Sequence, residues 1–302
     1  MSGPVHITGG AVFTGVCASL AGINILADWR FIGLTVLFSL LPDIDTTHSI
    51  LGRLLKPISS RIYDRWGHRT ATHSIWFHHG ATAATAATMG GEAATVVWLA
   101  ITGHLLLDAI TVSGVQYLYP RLTRFVLPGN DAARIRGNDK RTEAVWFAGS
   151  ILAFYFFSGL IQNGFWTTYN TTMATTTTLA SEFEKSTTML DVTAVVRNGS
   201  DTTTVRGLVY LADGKRFGIV TADSTAMVLP RNEFERVAGL EFRRTEIRYK
   251  FAAGGDCDGI DVGDGNCLII QNPNDDSNSN FLLGNLGGGT TARTGVQLPG
   301  KR

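Results

Sequence analysis

Long apolar runs separated by charged loops fill the first 166 residues of this 302-residue chain. A run of about 20 apolar residues can cross a bilayer as a helix, whereas one of about 11 is closer to a half-span. The pattern therefore predicts an α-helical integral membrane domain of four to five helices. A buried soluble bundle is the alternative, and the last run argues against it. The predicted segments are residues 7–27, 31–41, 74–89, 93–112 and 145–166.

The pattern changes after the fifth run. A threonine-dominated stretch predicts a linker. Apolar and polar residues then alternate, and Asp213-Gly214 is a hairpin signal, so a small β-rich barrel or sandwich follows. A Gly-, Asn- and Asp-rich end predicts a flexible tail. The predicted parts are the membrane domain at 1–166, the linker at 167–190, the β-rich soluble domain at 191–252 and the tail at 253–302.

Lysine and arginine concentrate in the loops after the second and fourth apolar runs. With five spans these two loops lie on one side, and the excess of positive charge makes that side cytoplasmic. The N-terminus shares it, and the β-rich domain lies opposite, in the periplasm of a bacterium. The first run has no basic segment before it and no cleavage site after it, which predicts a retained helix. The loop cations are Arg53, Lys56, Arg61, Arg65 and Arg69, then Arg121, Arg124, Arg134, Arg136, Lys140 and Arg141.

Overall charge and cysteine usage add two expectations. The formal net charge of +1 does not suggest a nucleic-acid partner. Cys17 lies in an apolar run and is expected to be inert. Cys257 and Cys267 are expected to form a disulfide if the tail is in an oxidising compartment. No protein partner of the β-rich domain can be named from the sequence.

Metal-binding side chains lie where the apolar runs begin or end. A carboxylate or imidazole at a membrane segment costs a few kcal/mol unless it is paired, so each indicates a use. The predicted topology brings all of them to the cytoplasmic face. Mixed nitrogen and carboxylate ligands suit zinc, manganese or non-haem iron, and an open coordination position would supply hydroxide at neutral pH. The residues are His6, Asp43, Asp45, His68, His73, His104 and Asp108.

Four motifs carry a resemblance. They are Leu40-Leu41-Pro42-Asp43-Ile44-Asp45, Leu51-Gly52-Arg53, His68-Arg69-x-x-Thr72-His73-Ser74 and Gly103-His104-Leu105-Leu106-Leu107-Asp108. In order and spacing, residues 5–143 resemble the bacterial inner-membrane metal-dependent hydrolase family, the YdjM/YbcI-like group. A more distant similarity is to zinc-dependent phospholipase C and S1/P1-type nucleases, which also run His, Asp, His, then His-x-x-x-Asp. The resemblance does not cover the β-rich domain.

The resemblance implies roles for these residues. The metal ligands would be His6, Asp45, His73, His104 and Asp108. The distant relatives hold three zincs through later ligands that this sequence lacks, so one or two ions are expected. Asp43 would accept a proton, His68 would shuttle protons or orient a ligand, and Arg53 and Arg69 would bind a substrate phosphate. Structural alternatives stay open: a helix-stabilising His104–Asp108 pair, a helix-ending Asp43–Asp45 turn, no role for His6, and arginines that only set topology.

The expected function is metal-dependent hydrolysis of a phosphoester, a phospholipid or lipid-linked phosphate, by metal-bound hydroxide at the cytoplasmic membrane surface. One alternative is a non-catalytic membrane scaffold, in which a structural metal locks the helices and the β-rich domain binds a partner. A weaker alternative is a transporter whose Asp and His residues relay protons. The sequence names neither the substrate nor the oligomeric state.

Overall fold

The computed structural model describes residues 2–136, 139–212, 215–223, 225–230, 237–253, 260–263 and 266–271. The chain divides into two compact units, Met1–Thr168 and Tyr169–Arg302. The first unit is helical, and the second is built on antiparallel sheet. A helical N-terminal part with a C-terminal antiparallel sheet is the class of fold that the sequence predicts.

The longer helices of the first unit follow the apolar runs, and two short ones, α3 and α4, lie between them. They are α1 (Gly3–Leu20), α2 (Trp29–Leu40), α3 (Ile50–Leu54), α4 (Lys56–Trp66), α5 (Ile75–Met89), α6 (Gly91–Ala109) and α7 (Lys140–Asn163), with α8 (Phe165–Met173) beginning at its end. Helix α6 is the core of this unit, because it packs against α1, α2 and α5. Val96, Val97, Ala100 and Ile101 on α6 are fully buried.

Two helices in the described part of the chain, α6 and α7, are long and apolar enough to cross a membrane. They differ in surroundings, since α6 is mostly buried by its neighbours and α7 is almost entirely exposed. The exposed side chains of α7 include Val145, Leu152, Tyr155 and Phe156. The count of four to five spanning helices stays a prediction.

The first helix begins earlier and ends earlier than the apolar run at 7–27 suggests. Pro4 is in its first turn, where the missing N–H costs nothing, and so His6 becomes part of the helix. The helix ends near Gly22, whose φ of +76° suits glycine. Including His6 in a helix fixes the direction of its side chain.

The loop after α2 folds into two short helices, α3 and α4, which the hydrophobic pattern alone does not predict. Ser49 caps α3 by accepting a hydrogen bond from the backbone N–H of Gly52. Gly52 packs closely on the preceding turn, because a Cβ built there would lie 1.8 Å from the carbonyl oxygen of Thr46. This contact holds α3 against the segment that carries Asp43 and Asp45.

Gly52→Ala should therefore destabilise the protein by about 1–3 kcal/mol, the usual cost of forcing atoms into a packed site. The thermal unfolding midpoint of the purified protein measures the effect. Gly80→Ala is the matched control, since nothing lies within 4 Å of a Cβ there. Equal midpoints for the two variants would contradict the packing described for Gly52.

The second unit contains two antiparallel sheets. The first has the order β4-β3-β2-β1-β5 and the second β6-β8-β7. The strands are β1 (Leu190–Asn198), β2 (Asp201–Ala212), β3 (Arg216–Thr221), β4 (Ala226–Pro230), β5 (Val237–Arg244), β6 (Arg248–Ala253), β7 (Ile260–Gly263) and β8 (Asn266–Gln271). Leu190, Val192 and Ala194 alternate inward on the central β1 and are fully buried, as the period-two pattern predicts.

The threonine-rich stretch at 167–190 is not a structureless linker. It contains the end of α8 and all of α9 (Thr176–Lys185), which Thr175 opens with a capping box. Leu179 and Phe183 lie one turn apart on α9 and are buried against the five-stranded sheet. The many threonines conceal this i, i+4 apolar pair, which is enough to dock a short helix.

The tail predicted at 253–302 is also partly structured, since β7 and β8 pair within it. Buried Leu268 on β8 packs with Met189, Tyr210 and Val220. Cys267 is buried and disulfide-bonded. Its predicted partner, Cys257, lies outside the described residues, as do the predicted hairpin residues Asp213 and Gly214 and everything after residue 271.

Candidate metal centre

Four segments of the first unit bring buried imidazoles and carboxylates together. His6 lies in the second turn of α1. His104 and Asp108 lie four apart on α6, so both point from one face. Two 3-10 turns supply the rest: Leu41–Asp45, which follows α2 at Pro42, and Ala71–His73, which precedes α5. The centre therefore forms where helices end, because turns there can direct side chains inward.

Four donor atoms converge, one each from Asp43, His73, His104 and Asp108, and all lie within 4.8 Å of one another. Nε2 of His73 is 3.3 Å from Nε2 of His104 and 3.3 Å from Oδ2 of Asp108. Oδ1 of Asp43 is 3.7 Å and 3.8 Å from the same two nitrogens. Ligands around a tetrahedral ion at 2.0–2.2 Å are about 3.3–3.6 Å apart. The four atoms thus fit a shared divalent cation.

Hydrogen bonds orient both histidines in this group. Nδ1 of His104 is 2.7 Å from the carbonyl oxygen of Ser39, which can only accept, so Nδ1 carries the proton. Nδ1 of His73 faces Oδ2 of Asp45 at 3.4 Å and the hydroxyl of Thr72 at 3.1 Å. Each ring therefore directs Nε2 into the cluster, as metal-binding histidines do, and a bound cation would displace the proton from Nε2 of His73.

Asp45 lies beside the four donors instead of among them. Its Oδ1 accepts from Nδ1 of His68 at 2.7 Å, and its Oδ2 accepts from the backbone N–H of Arg69 and the hydroxyl of Thr72, both at 2.8 Å. Residues two apart in a 3-10 turn point in different directions, which separates Asp45 from Asp43. The structure thus places Asp43, predicted to be catalytic, with the four donors. Asp45, predicted to be a ligand, lies behind His73 and forms a second possible metal-binding group with Asp43 and His68.

The local charge is strongly negative, because three carboxylates surround the rings. Burial lowers the pKa of His73, but hydrogen bonds to Asp108 and Asp45 outweigh burial and raise the pKa to about 9. Burial raises the pKa of Asp45, but its hydrogen bonds to His68 and His73 outweigh burial and hold that pKa well below its usual range. A cluster with this surplus of negative charge attracts cations.

Arg69 is a partly buried cation next to the cluster. One guanidinium nitrogen lies 2.5 Å from Oδ1 of Asp108, and another donates to the hydroxyl of Thr111 at 2.8 Å. Its backbone has a φ of +61°, which is rare for a residue with a side chain. Strained backbone of this kind persists at sites where surrounding contacts dictate the conformation. Here both the N–H and the guanidinium of Arg69 bind aspartates of the centre.

A cavity of about 1030 Å³ opens beside the cluster. Asp43 and His68 line it, so the centre is accessible from this side. Nδ1 of His68 is held by Asp45, which leaves Nε2 for proton exchange. Cations outnumber carboxylates around the cavity, and three of them come from the loop and helix after α6. The charged lining residues are Asp43, Arg53, Arg69, Arg124, Arg136, Lys140 and Glu143.

The structure thus assembles most of the side chains selected from the sequence. His6, Asp43, His73, His104 and Asp108 are buried and adjacent, while Asp45 and His68 form a pair next to them. Arg53 and Arg69 both line the cavity, and their role as phosphate ligands stays a prediction. Sequence reasoning assigned Arg124, Arg136 and Lys140 to topology alone. Their spacing gives no sign of the cavity, because only the folded loop brings them beside α3.

Comparison with known proteins supports a family assignment. The chain is 31% identical over 131 residues to the uncharacterized protein YvsG of Bacillus subtilis (strain 168), which covers 42% of this chain and 79% of that protein. It is 36% identical over 110 residues to the inner membrane protein YdjM of Escherichia coli (strain K12), and equally to that of Shigella flexneri. That alignment covers 33% of this chain and 54% of YdjM, so the chain spans about half the length of YdjM. No solved structure matches.

The family profile extends further than these alignments. It matches residues 1–179, which include all of the first unit and the metal centre. The relatives named above support a location in the inner membrane. On a match over more than half of its length, this chain belongs to the YdjM inner membrane protein family.

Proposed function

We propose that this protein is a membrane-bound, metal-dependent hydrolase that cleaves a phosphoester. One observation supports this most strongly: four donor atoms are correctly spaced for one divalent cation, and one of the four residues, Asp43, lines a large cavity that is rich in cations. A bound divalent cation would polarise the phosphoester and lower the pKa of water to near 7. Zinc fits the nitrogen and carboxylate donors, with manganese or iron as alternatives.

The residues of the metal centre would have different roles in hydrolysis. Asp43, His73, His104 and Asp108 would hold the cation, with Asp45 orienting His73 through Nδ1. His68, held by Asp45 and lining the cavity, would exchange the proton that hydrolysis releases or consumes. Its partly exposed side chain can pass that proton to solvent.

The cavity favours an anionic substrate. Arg69 connects the metal cluster to the cavity, and Arg53, Arg124, Arg136 and Lys140 surround the opening. Guanidinium groups bind phosphate oxygens in pairs, so an arginine-lined cavity selects phosphate over neutral substrates. The phosphate of a lipid or of a lipid-linked compound fits this charge.

Helix α4 supports a lipid substrate. Ile58 and Trp66 of this short helix are exposed, although both are apolar. Arg61 and Arg65 lie on the same helix, and the guanidinium of Arg65 lies 5.5 Å from the Trp66 ring centre. Exposed apolar side chains beside arginines and a tryptophan suit the boundary between headgroups and acyl chains. Helix α3, which lines the cavity through Ile50 and Arg53, directly precedes α4.

A structural metal in a non-catalytic scaffold is the second candidate. All four donors are buried, and four protein ligands can close a structural site completely. Both proposals assume a multi-pass topology. In both, the metal centre lies on the cytoplasmic side of the membrane and the sheet unit on the periplasmic side.

The test uses the full-length protein in lipid nanodiscs. We expect release of inorganic phosphate from vesicles that contain a phosphomonoester lipid, or cleavage of a phosphodiester lipid into an alcohol and a phosphomonoester. Either activity should be lost after chelation and recover with zinc or manganese. Soluble p-nitrophenyl phosphate, offered in parallel, separates lipid from general phosphoester specificity. Protein that retains a cation yet hydrolyses none of these substrates would favour the scaffold.

A further inference from the structure

The rings of His6 and His104 cannot bind the same ion. They are stacked, with centroids 4.0 Å apart and planes inclined by 19°. A histidine nitrogen binds a metal through a lone pair in the plane of its ring. An ion in the plane of His104 would lie several ångströms outside the plane of a ring stacked on it. His6 therefore has no access to the cation held by His73 and His104.

The two aspartates present different oxygens to these two rings. Nε2 of His6 lies 3.4 Å from Oδ1 of Asp108, whereas His104 and His73 approach Oδ2 of the same carboxylate at 3.6 Å and 3.3 Å. Asp43 repeats the division: Oδ2 is 3.9 Å from His6, and Oδ1 faces the other two histidines. Each carboxylate thus lies between two clusters of donor atoms. Carboxylates that bridge two metal ions have this arrangement.

His6 itself indicates a missing ligand. The side chain is fully buried, and neither ring nitrogen makes a well-aligned hydrogen bond among the described residues, although Nε2 faces the carboxylates of Asp108 and Asp43. Buried polar atoms are almost always satisfied, and a bound ion is one of the accepted reasons for an exception. Helix α1 places this nitrogen next to two carboxylates, which is where a cation would satisfy it.

We infer that the centre holds a second divalent cation, bound by Nε2 of His6, Oδ2 of Asp43 and Oδ1 of Asp108. This inference rests on the proposed metal centre and adds the second ion, with both aspartates as bridges. Oδ1 of Asp108 has two lone pairs, so it can bind this ion and accept from Arg69 as well. Three protein donors leave positions open toward the cavity, which Asp43 lines. Paired ions about 3.5–4 Å apart are common where phosphoesters are cleaved.

The rival arrangement has one ion. In it the guanidinium of Arg69, 2.5 Å from Oδ1 of Asp108, would be the only cation on the His6 side. The two arrangements differ in the number of ions bound per chain and in whether His6 binds one of them. Both can be measured without a substrate.

The experiment titrates metal-free full-length protein in nanodiscs with Mn²⁺ and follows bound ions by elemental analysis and electron paramagnetic resonance. We expect two ions per chain and a spectrum of exchange-coupled Mn²⁺ pairs. His6→Ala should bind one ion and give an uncoupled spectrum. His79→Ala, which changes an exposed histidine of α5, is the control and should bind two.

The outcomes separate the inference from the proposed function. One ion in the wild type, with the same content in His6→Ala, would overturn the second site and leave the first intact. No bound ion in the wild type would remove the proposed function as well. If His6→Ala fails to fold, the number of ions bound by the wild type and the presence or absence of spin coupling still distinguish one ion from two.

Discussion

Asp108→Asn should abolish metal binding and lower hydrolytic activity by more than about 100-fold, the upper range seen when residues that only support ligands are changed. Asp108 presents Oδ2 to His73 and His104, and Oδ1 to His6 and Arg69. Asparagine keeps the shape of the side chain but loses the charge that binds a cation. Its amide group would also bring a donor toward Arg69 or the histidines.

Metal content and thermal unfolding together measure this effect. An ion that binds only the folded state stabilises it, so zinc should raise the unfolding midpoint of the wild type. Asp108→Asn should lose that increase, while Asp64→Asn, an exposed carboxylate of α4, should keep it. Wild-type metal content in Asp108→Asn would show that this carboxylate is not a ligand.

Regular helical spacing made part of the centre predictable. His104 and Asp108 are four apart on one helix, so their side chains face the same way in any helix that contains both. His6 and His73 border apolar runs, and the predicted topology brings those borders to one face. These inferences needed only the length and direction of helices, which the hydrophobic pattern supplies.

Other features depend on contacts that no periodicity encodes. The 3-10 turn after α2 decides which aspartate faces the histidines, and the sequence Asp43-Ile44-Asp45 fits either choice. The stacking of His6 on His104 depends on how α1 packs against α6. The short helix α9 depends on two apolar side chains among threonines, which compositional reasoning overlooks.

The position of the centre follows from the cost of burying charge. Three buried carboxylates near a membrane domain are expensive unless cations neutralise them. Arg69 supplies one positive charge, and the carboxylates of Asp43, Asp45 and Asp108 supply three negative charges. One divalent cation balances this set, and a second leaves a positive excess that an anionic substrate would offset. The metal-binding donors and the cations that line the cavity therefore both favour an anionic substrate.

The two aspartates after Pro42 should respond differently to the same substitution. Asp43→Asn removes a donor 3.7 Å and 3.8 Å from the nitrogens of His73 and His104, and we expect it to lose bound metal. Asp45→Asn removes the acceptor behind His73 and His68, so it should retain metal with an affinity lowered by about 10–100-fold. Its activity should fall further than its metal affinity, because His68 loses the carboxylate that orients it.

Metal titration of both variants, followed by activity at saturating metal, distinguishes these effects. Saturation should restore the occupancy of Asp45→Asn without restoring its rate, since the proton-exchanging His68 remains unsupported. Asp43→Asn should stay metal-poor at concentrations that saturate the wild type. The reverse result, with Asp45→Asn metal-free and Asp43→Asn saturable, would return Asp45 to the ligand role that the sequence motif implies. It would also mean that the 3-10 turn directs Asp45, and not Asp43, toward the metal.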